Sequence, residues 1–503
     1  MKKNRYLLYL LVSLCLFCTN TITGLADEYE DARLNRLEMP VESNAVEGWP
    51  EGPIVSADAA ILYEANTGTI LYAKNIYAAE YPASTTKLLT TLIAMEEGDL
   101  DDMVTMSQSA LDAITWDSSV MGASVGDTFT LEQFLYGILV PSGNEAANAV
   151  AEHIGGTMED FALHMTERAK ELGCVNSNFV NANGLYDDAH YTCAYDLALI
   201  ATEFFKSETL SRIASTSSYS FAEDWTVYSR NKLLPGKEYA YEYLVGSKTG
   251  YTGKARNTLA SCAQKDGMKL ICVVLKEEPP YQFTDTIDLF NYGFSNFKLY
   301  NIAENETRYN IEHSDFFESD NDVFGSSVPL LELDTSAGLI LPINADFDSA
   351  VPKLTYHTDN GDSIATISYS YSGVEVGSCE LYLNEDALTA ENTDDVSSES
   401  VDPIIDATEN PPASDSTGLT GDTSSNKSDN DTSKEKEKVI VINIKLIAYW
   451  AIGIIGFLLV VFVIARFIGN YHLPSIELKH RRKKRRPKRN RRRKSSITKT
   501  YKF

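Results

Sequence analysis

The chain is 503 residues long, enough for about three domains, and its 44 Lys+Arg against 71 Asp+Glu give a net charge of −27. That charge is divided. Residues 466–503 carry 16 Lys+Arg against the single acid Glu477, a net +15, which leaves −42 on residues 1–465 and excludes capture of polyanions there by simple attraction.

Residues 1–26 read as a secretory signal peptide, with Lys2, Lys3 and Arg5 ahead of an apolar run (6–17) and the small-residue site Gly24-Leu25-Ala26. The run is shorter than the ~20 residues needed to span hydrocarbon. Cys15 and Cys18 leave with it. The remaining Cys174, Cys193, Cys262, Cys272 and Cys379 are widely spread and hold no Cys-x-x-Cys pair, so neither a disulfide scaffold, nor zinc, nor a redox dithiol is indicated, while a single disulfide stays open.

Residues 38–297 mix strand-like runs (59–63, 270–275) with helix-period segments (88–95, 131–139), the pattern of one α/β domain. Lys265-Asp266-Gly267 sits between two apolar runs as a hairpin turn. Residues 298–390 show short alternating stretches (363–371, 374–382) separated by Asp, Asn and Gly, the pattern of a small all-β domain. Residues 392–438 are rich in Ser, Thr, Asp, Asn and Pro and cannot bury enough apolar surface to fold, so a disordered stalk is expected. The run 446–465 is 20 residues long without a charge and reads as one transmembrane helix. The basic tail 466–503 then lies in the cytoplasm by the positive-inside rule, against anionic lipid rather than nucleic acid. The catalytic part is placed outside the cell.

Three short motifs carry chemistry. In Pro82-Ala-Ser-Thr-Thr-Lys87, Ser84 and Lys87 are three residues apart, about one helical turn, which puts the amine beside the hydroxyl. A serine needs a base to take its proton, and a buried lysine near another cation is neutral enough to serve. Pro141-Ser142-Gly143-Asn144 forms a turn between two helices, the first opened by the capping-box pair Thr130 and Gln133. It presents a hydroxyl and an amide with no bulky side chain between them. Lys248-Thr249-Gly250-Tyr251 offers a cation and a hydroxyl to a carboxylate, while Gly250 admits ligand backbone.

Each motif alone arises often by chance. Ser-x-x-Lys, Ser-x-Asn and Lys-Thr-Gly in this order form the signature of penicillin-binding proteins and class A β-lactamases. Over residues 50–297 the chain resembles the D-alanyl-D-alanine carboxypeptidases, the low-molecular-mass penicillin-binding proteins. The likeness extends to the 136–147 run, to Asn183-Gly184-Leu185 followed by His190-Tyr191-Thr192, and to Lys248-Thr-Gly-Tyr-Thr252.

The resemblance implies an α/β (α+β) serine β-lactamase/transpeptidase-like catalytic domain followed by a small all-β domain and a C-terminal anchor. It implies Ser84 as nucleophile, Lys87 as general base, and Ser142 with Asn144 orienting the lysine and the substrate backbone. Lys248 and Thr249 would hold the terminal carboxylate, and the Ser84 and Tyr251 backbone N–H groups would form the oxyanion hole. The implied partners are a peptidoglycan stem peptide as substrate and β-lactams as inhibitors; no metal or organic cofactor is required. Two features depart from the family: the anchor reads as a full span, and Cys193 stands where relatives often have a small hydroxyl residue or alanine.

Other readings are a β-lactamase, a catalytically inactive wall-sensing module, and a Ser-His-Asp hydrolase. No Glu-x-x-Leu-Asn arrangement lies between Asn144 and Lys248 to deacylate a β-lactam, with Glu152, Glu159, Glu167 and Glu171 expected to face solvent. A pure binder needs no paired nucleophile and base. No Gly-x-Ser-x-Gly elbow is present, and His153 and His164 fall in helical runs.

Overall fold

The computed structural model describes residues 29–309, 331–357 and 363–383. The expected signal peptide 1–26, stalk 392–438, span 446–465 and tail 466–503 lie outside the described residues. Among the described residues no helix is long and apolar enough to cross a membrane.

Two segments expected as strands become the centre of one sheet. In chain order the described strands are β1 (Ala59–Glu64), β2 (Ile70–Lys74), β3 (Met103–Thr105), β4 (Thr128–Thr130), β5 (Ser218–Ala222), β6 (Trp225–Tyr228), β7 (Leu244–Thr252), β8 (Arg256–Lys265) and β9 (Met268–Glu277). The central sheet runs β2-β1-β9-β8-β7, antiparallel at every pairing. The α/β expectation therefore resolves to α+β, because most of the helices, with the short strands β3 to β6, are inserted as a block (75–243) between edge strands β2 and β7 instead of alternating with parallel strands. The expected hairpin joins β8 to β9, with Asp266 at φ +50 and Gly267 at φ +83, the left-handed pair of a type I′ turn.

Side chains alternate across the sheet and both faces are covered, which is why β1 and β9 read as unbroken apolar runs. Ala59, Ile61 and Tyr63 face one core together with Ile271, Val273 and Leu275. That core is closed by helices Lys87–Glu97, Leu131–Leu139, Asn144–Gly155 and Ala194–Phe204. Ala60, Leu62, Leu270, Cys272 and Val274 face the other core, beneath helix Tyr281–Asn296. The capping box of Thr130 and Gln133 is formed at the start of Leu131–Leu139.

The remaining strands are β10 (Phe297–Asn301), β11 (Leu331–Leu333), β12 (Gly338–Pro342), β13 (Val351–Tyr356), β14 (Ser363–Tyr371) and β15 (Val374–Leu383). They form a second antiparallel sheet, β10-β12-β15-β14-β13, with β11 on β15. It shares the second core: the Trp49 ring lies 5.1 Å from Phe297 and 6.4 Å from Tyr371.

All five described cysteines are free thiols. Cys193 has a defined place, as N-cap of Ala194–Phe204, its Sγ accepting from the Asp196 N–H at 3.5 Å. The position of a capping hydroxyl is thus filled by a thiol.

A buried acid pair fastens the segment before β1 to the sheet. Glu277 Oε1 accepts from Ser56 Oγ at 2.9 Å and from the Glu278 N–H at 2.8 Å, while Asp285 Oδ2 accepts from the Ser56 N–H at 2.7 Å. Burial, and then the Asp285 charge beside it, push Glu277 up to about 9. A raised folded-state value favours the protonated fold, so its contribution is fully present below the ordinary glutamate value and is lost as pH rises through about 9. Thermal melts from pH 5 to 9 should therefore show falling stability. In Glu277→Gln, a neutral mimic of the protonated acid, this decline should flatten; an unchanged slope would remove the pair as its cause.

Candidate active site

A change of helix type sets the first pair. Ala83–Thr86 forms a single 3-10 turn and Lys87 opens the α-helix Lys87–Glu97. In a 3-10 turn residues i and i+3 eclipse. Lys87 Nζ accordingly lies 2.9 Å from Ser84 Oγ. The threonines around it act as struts. Thr85 Oγ1 and Thr258 Oγ1 both donate to Pro82 O, at 2.7 and 2.8 Å, and Thr90 Oγ1 donates to Ala182 O at 2.6 Å. Thr86 Oγ1 is 2.8 Å from His190 Nε2. The Val180 N–H donates to His190 Nδ1 at 3.1 Å, so the neutral ring carries its proton on Nε2 and donates to Thr86. Burial is the main cause that brings His190 down to about 4 and keeps it neutral, with Lys87 adding to it.

Lys87 is buried completely, and its Nζ has two further partners: Asn144 Oδ1 at 2.6 Å and the Asn183 carbonyl at 2.5 Å. Both can only accept. A neutral amine therefore commits its two protons to them and turns its lone pair toward Ser84. Burial foremost, then the Lys248 charge, push Lys87 well below the ordinary lysine value, against an opposing pull from Glu145.

Asn144 begins helix Asn144–Gly155. Its Nδ2 donates to Ser118 Oγ at 3.0 Å and its N–H to Ser119 O at 2.8 Å. Ser142 has φ +69, and its hydroxyl accepts from Lys248 Nζ at 2.9 Å rather than from Lys87. Lys248 Nζ also donates to Thr249 O at 2.8 Å. Burial first, and Arg230 second, bring Lys248 down to about 7. Thr249 lines the cleft, and the Tyr251 ring projects outward, 58% exposed.

Two glycines let these parts approach. A Cβ on Gly250 would lie 2.3 Å from Thr258 Oγ1 and 2.8 Å from Ser84 N, so β7 passes directly against the Ser84 amide. Gly184, at φ +81, would put a Cβ 1.9 Å from Ala83 O.

The resulting open cleft, about 660 Å³, is lined by Ser84, Ser118, Ser142, Asn144, Arg230 and Thr249 among others. The structure thus brings the residues of all three motifs to one place. It also supplies parts that sequence reasoning missed: the Asn183 carbonyl, Ser118, and Arg230, whose Nη1 donates to Ser119 Oγ at 3.1 Å. The Asn-Gly-Leu run at 183–185 was the only sequence sign of the first.

None of the glutamates weighed for β-lactam deacylation lines the cleft. Glu152 accepts from Ser107 and Ser109, and Glu159, Glu167 and Glu171 are exposed. His153 and His164 sit on helix surfaces beside Asp102 and Glu97.

Because Gly184 abuts the Ala83 carbonyl with a left-handed backbone, Gly184→Ala should lower acylation by labelled penicillin by about a hundredfold or more, by displacing the Ser84 turn. Circular dichroism should report a retained fold, and an unchanged acylation rate would show that the turn tolerates the displacement.

Residues 47–278 match the D-alanyl-D-alanine carboxypeptidase family. The D-alanyl-D-alanine carboxypeptidase DacF of Bacillus subtilis is 34% identical over 261 residues, covering 48% of this chain and 64% of DacF. This chain therefore spans just under two thirds of DacF's length. DacA of Haemophilus influenzae is 29% identical over 343 residues, 66% of this chain and 86% of DacA. The crystal structure of penicillin binding protein 5 from Haemophilus influenzae superposes with a TM-score of 0.54 at 26% identity, over 66% of this chain and 98% of that one. Over residues 47–278, just under half of its length, this chain is thus similar to the D-alanyl-D-alanine carboxypeptidases.

Proposed function

We propose that this protein is a serine-type D-Ala-D-Ala carboxypeptidase that removes the terminal D-alanine from peptidoglycan stem pentapeptides and is acylated by penicillin. The observation that carries this reading is the buried Lys87 amine, with both its protons directed at carbonyl oxygens and its third position on Ser84 Oγ.

In the proposed reaction Lys87 takes the Ser84 proton as Oγ attacks the carbonyl between the two D-alanines. The Ser84 and Tyr251 N–H groups steady the developing oxyanion, a role consistent with the close passage of β7 over Ser84 N. The C–N bond breaks, the proton held on Lys87 passes to the departing amine, and D-alanine leaves. Water then attacks the acyl-enzyme and frees the shortened peptide. Thr249, which lines the cleft, and the buried Lys248, whose Nζ reaches the cleft residue Ser142, hold the substrate carboxylate, with the Arg230 cation also lining the cleft. As the outer strand of its sheet, β7 has an edge on which an extended peptide can lie.

The full chain, incubated with a pentapeptide ending in D-Ala-D-Ala, should release D-alanine and trap labelled penicillin, and Ser84→Ala should do neither. Trapping without release would redirect the reading to another acceptor for the acyl-enzyme; neither in the wild type would favour the inactive wall-binding module. The pH profile supplies a second check. The rate should rise as Lys87 becomes neutral, and kcat/KM for the carboxylate-bearing substrate should fall as pH climbs past about 7 and Lys248 loses its charge.

The sequence pattern also supports export, a flexible stalk at 392–438, a membrane span at 446–465 and an inner basic tail on anionic lipid. Protease added outside intact cells should cut within 392–438 and release the catalytic part; protection of that segment would overturn the orientation.

A further inference from the structure

Glu145 follows Asn144 directly, yet the acyl-transfer reading leaves it without a task. It is a wholly buried carboxyl, and a group of that kind needs hydrogen bonds to be tolerated. Its Oε1 accepts from two successive backbone amides, Met121 N–H at 2.7 Å and Gly122 N–H at 2.9 Å. Its Oε2 is buried with no partner. The clamped strip is held from its other side by Trp225, whose Nε1 donates to Met121 O at 3.0 Å. Gly122, at φ +99, turns the backbone so that its amide and its neighbour's converge on one oxygen.

What this strip carries is the reason for holding it. Ser118 Oγ accepts from Asn144 Nδ2 at 3.0 Å, and Ser119 O accepts from Asn144 N at 2.8 Å. Ser118 Oγ also accepts from the Thr115 N–H at 3.2 Å; with the donating end of the Asn144 carboxamide on that oxygen, the accepting end faces Lys87 Nζ, 2.6 Å away. Were the amide to flip, an N–H would face the amine, and the lone pair would be drawn away from Ser84.

We propose that Glu145 is a positioning residue for acylation: by clamping the 121–122 amides it seats Ser118, and through Ser118 it keeps the Asn144 oxygen on the Lys87 amine. This rests on the reading of Ser84 and Lys87 as nucleophile and base. Glu145 acts at the same time as the negative charge near Lys87. The charged groups acting on that amine are Lys248 from β7 and Glu145 from helix Asn144–Gly155, while His190, which feels the Lys87 charge in turn, is held neutral against Thr86. Burial raises Glu145's own value against the pull of its two backbone amides; once ionised, it is the charge that favours the ammonium form of Lys87, so removing it leaves Lys87 neutral to lower pH.

The test is the rate of acylation by labelled penicillin in the full chain, as a function of pH, for wild type, Glu145→Gln, Glu145→Ala and Ser118→Ala. The Gln oxygen can still accept from both amides. Its profile should therefore keep more of the plateau than Ser118→Ala and move its acid limb to lower pH. Ser118→Ala, which disturbs no part of the clamp, should lose about tenfold to a hundredfold in acylation with its melting temperature held. Glu145→Ala should lose at least as much, or fail to fold, and Ser118→Ala then carries the test alone. A merely structural Glu145 would lower melting temperature and active fraction without moving the acid limb. Wild-type rates in Ser118→Ala, or an unmoved limb in Glu145→Gln, would overturn the proposal. Absence of acylation in the wild type would instead defeat the underlying reading of Ser84 and Lys87.

Discussion

Everything at the site depends on one amine kept out of water. Lys87 opens its helix, a position normally solvated, yet it is fully buried, with Leu88, Leu89 and the Thr90-Thr91 pair buried behind it. A lone ammonium there is strongly disfavoured by desolvation. The fold resolves this by giving Nζ two acceptors that cannot donate, Asn144 Oδ1 and Asn183 O, and by placing the second cation, Lys248, close enough to be felt. The neutral amine is then the favoured species, and its third position faces the Ser84 hydroxyl.

That arrangement draws on three separate stretches of chain, and the sheet is what aligns them. β7 stands at the edge of a sheet whose centre, β1 and β9, is buried on both faces. One core anchors the helical block that carries Ser84, Lys87 and Asn144. The other anchors helix Tyr281–Asn296 and the second sheet. Rigid covering on both faces fixes β7 relative to the Ser84 turn, and the tolerance is small: one methyl on Gly250 or on Gly184 would enter the Ser84 turn.

Local strain is concentrated at the same place. Ala83 and Ser142, neither a glycine, take φ +50 and +69, immediately before Ser84 and at the Lys248 contact. Such conformations persist only where surrounding packing over-determines them. Here Thr85, Thr258 and the β7 backbone around Pro82–Ser84 supply that packing. The Ser142 position also has a consequence for division of labour. Its hydroxyl is committed to Lys248, so Asn144 alone of that motif touches Lys87.

The sequence by itself determined what short-range geometry controls. The i, i+3 spacing of Ser84 and Lys87 stacks them in either helix type, Asp266-Gly267 dictates a tight hairpin, and Thr130 with Gln133 caps a helix, because each depends on bonds within a few residues. The three motifs could be read in order, and so could the alternating strands of the second sheet. Only the tertiary structure decided that the sheet is antiparallel throughout, since a buried apolar run does not reveal its neighbour's direction. It alone also brought the Asn183 carbonyl, Ser118, Arg230 and Glu145 to the site. A backbone carbonyl has no side-chain signature, and a serine, an arginine or a glutamate acquires its role only from the partner that a distant segment delivers to it.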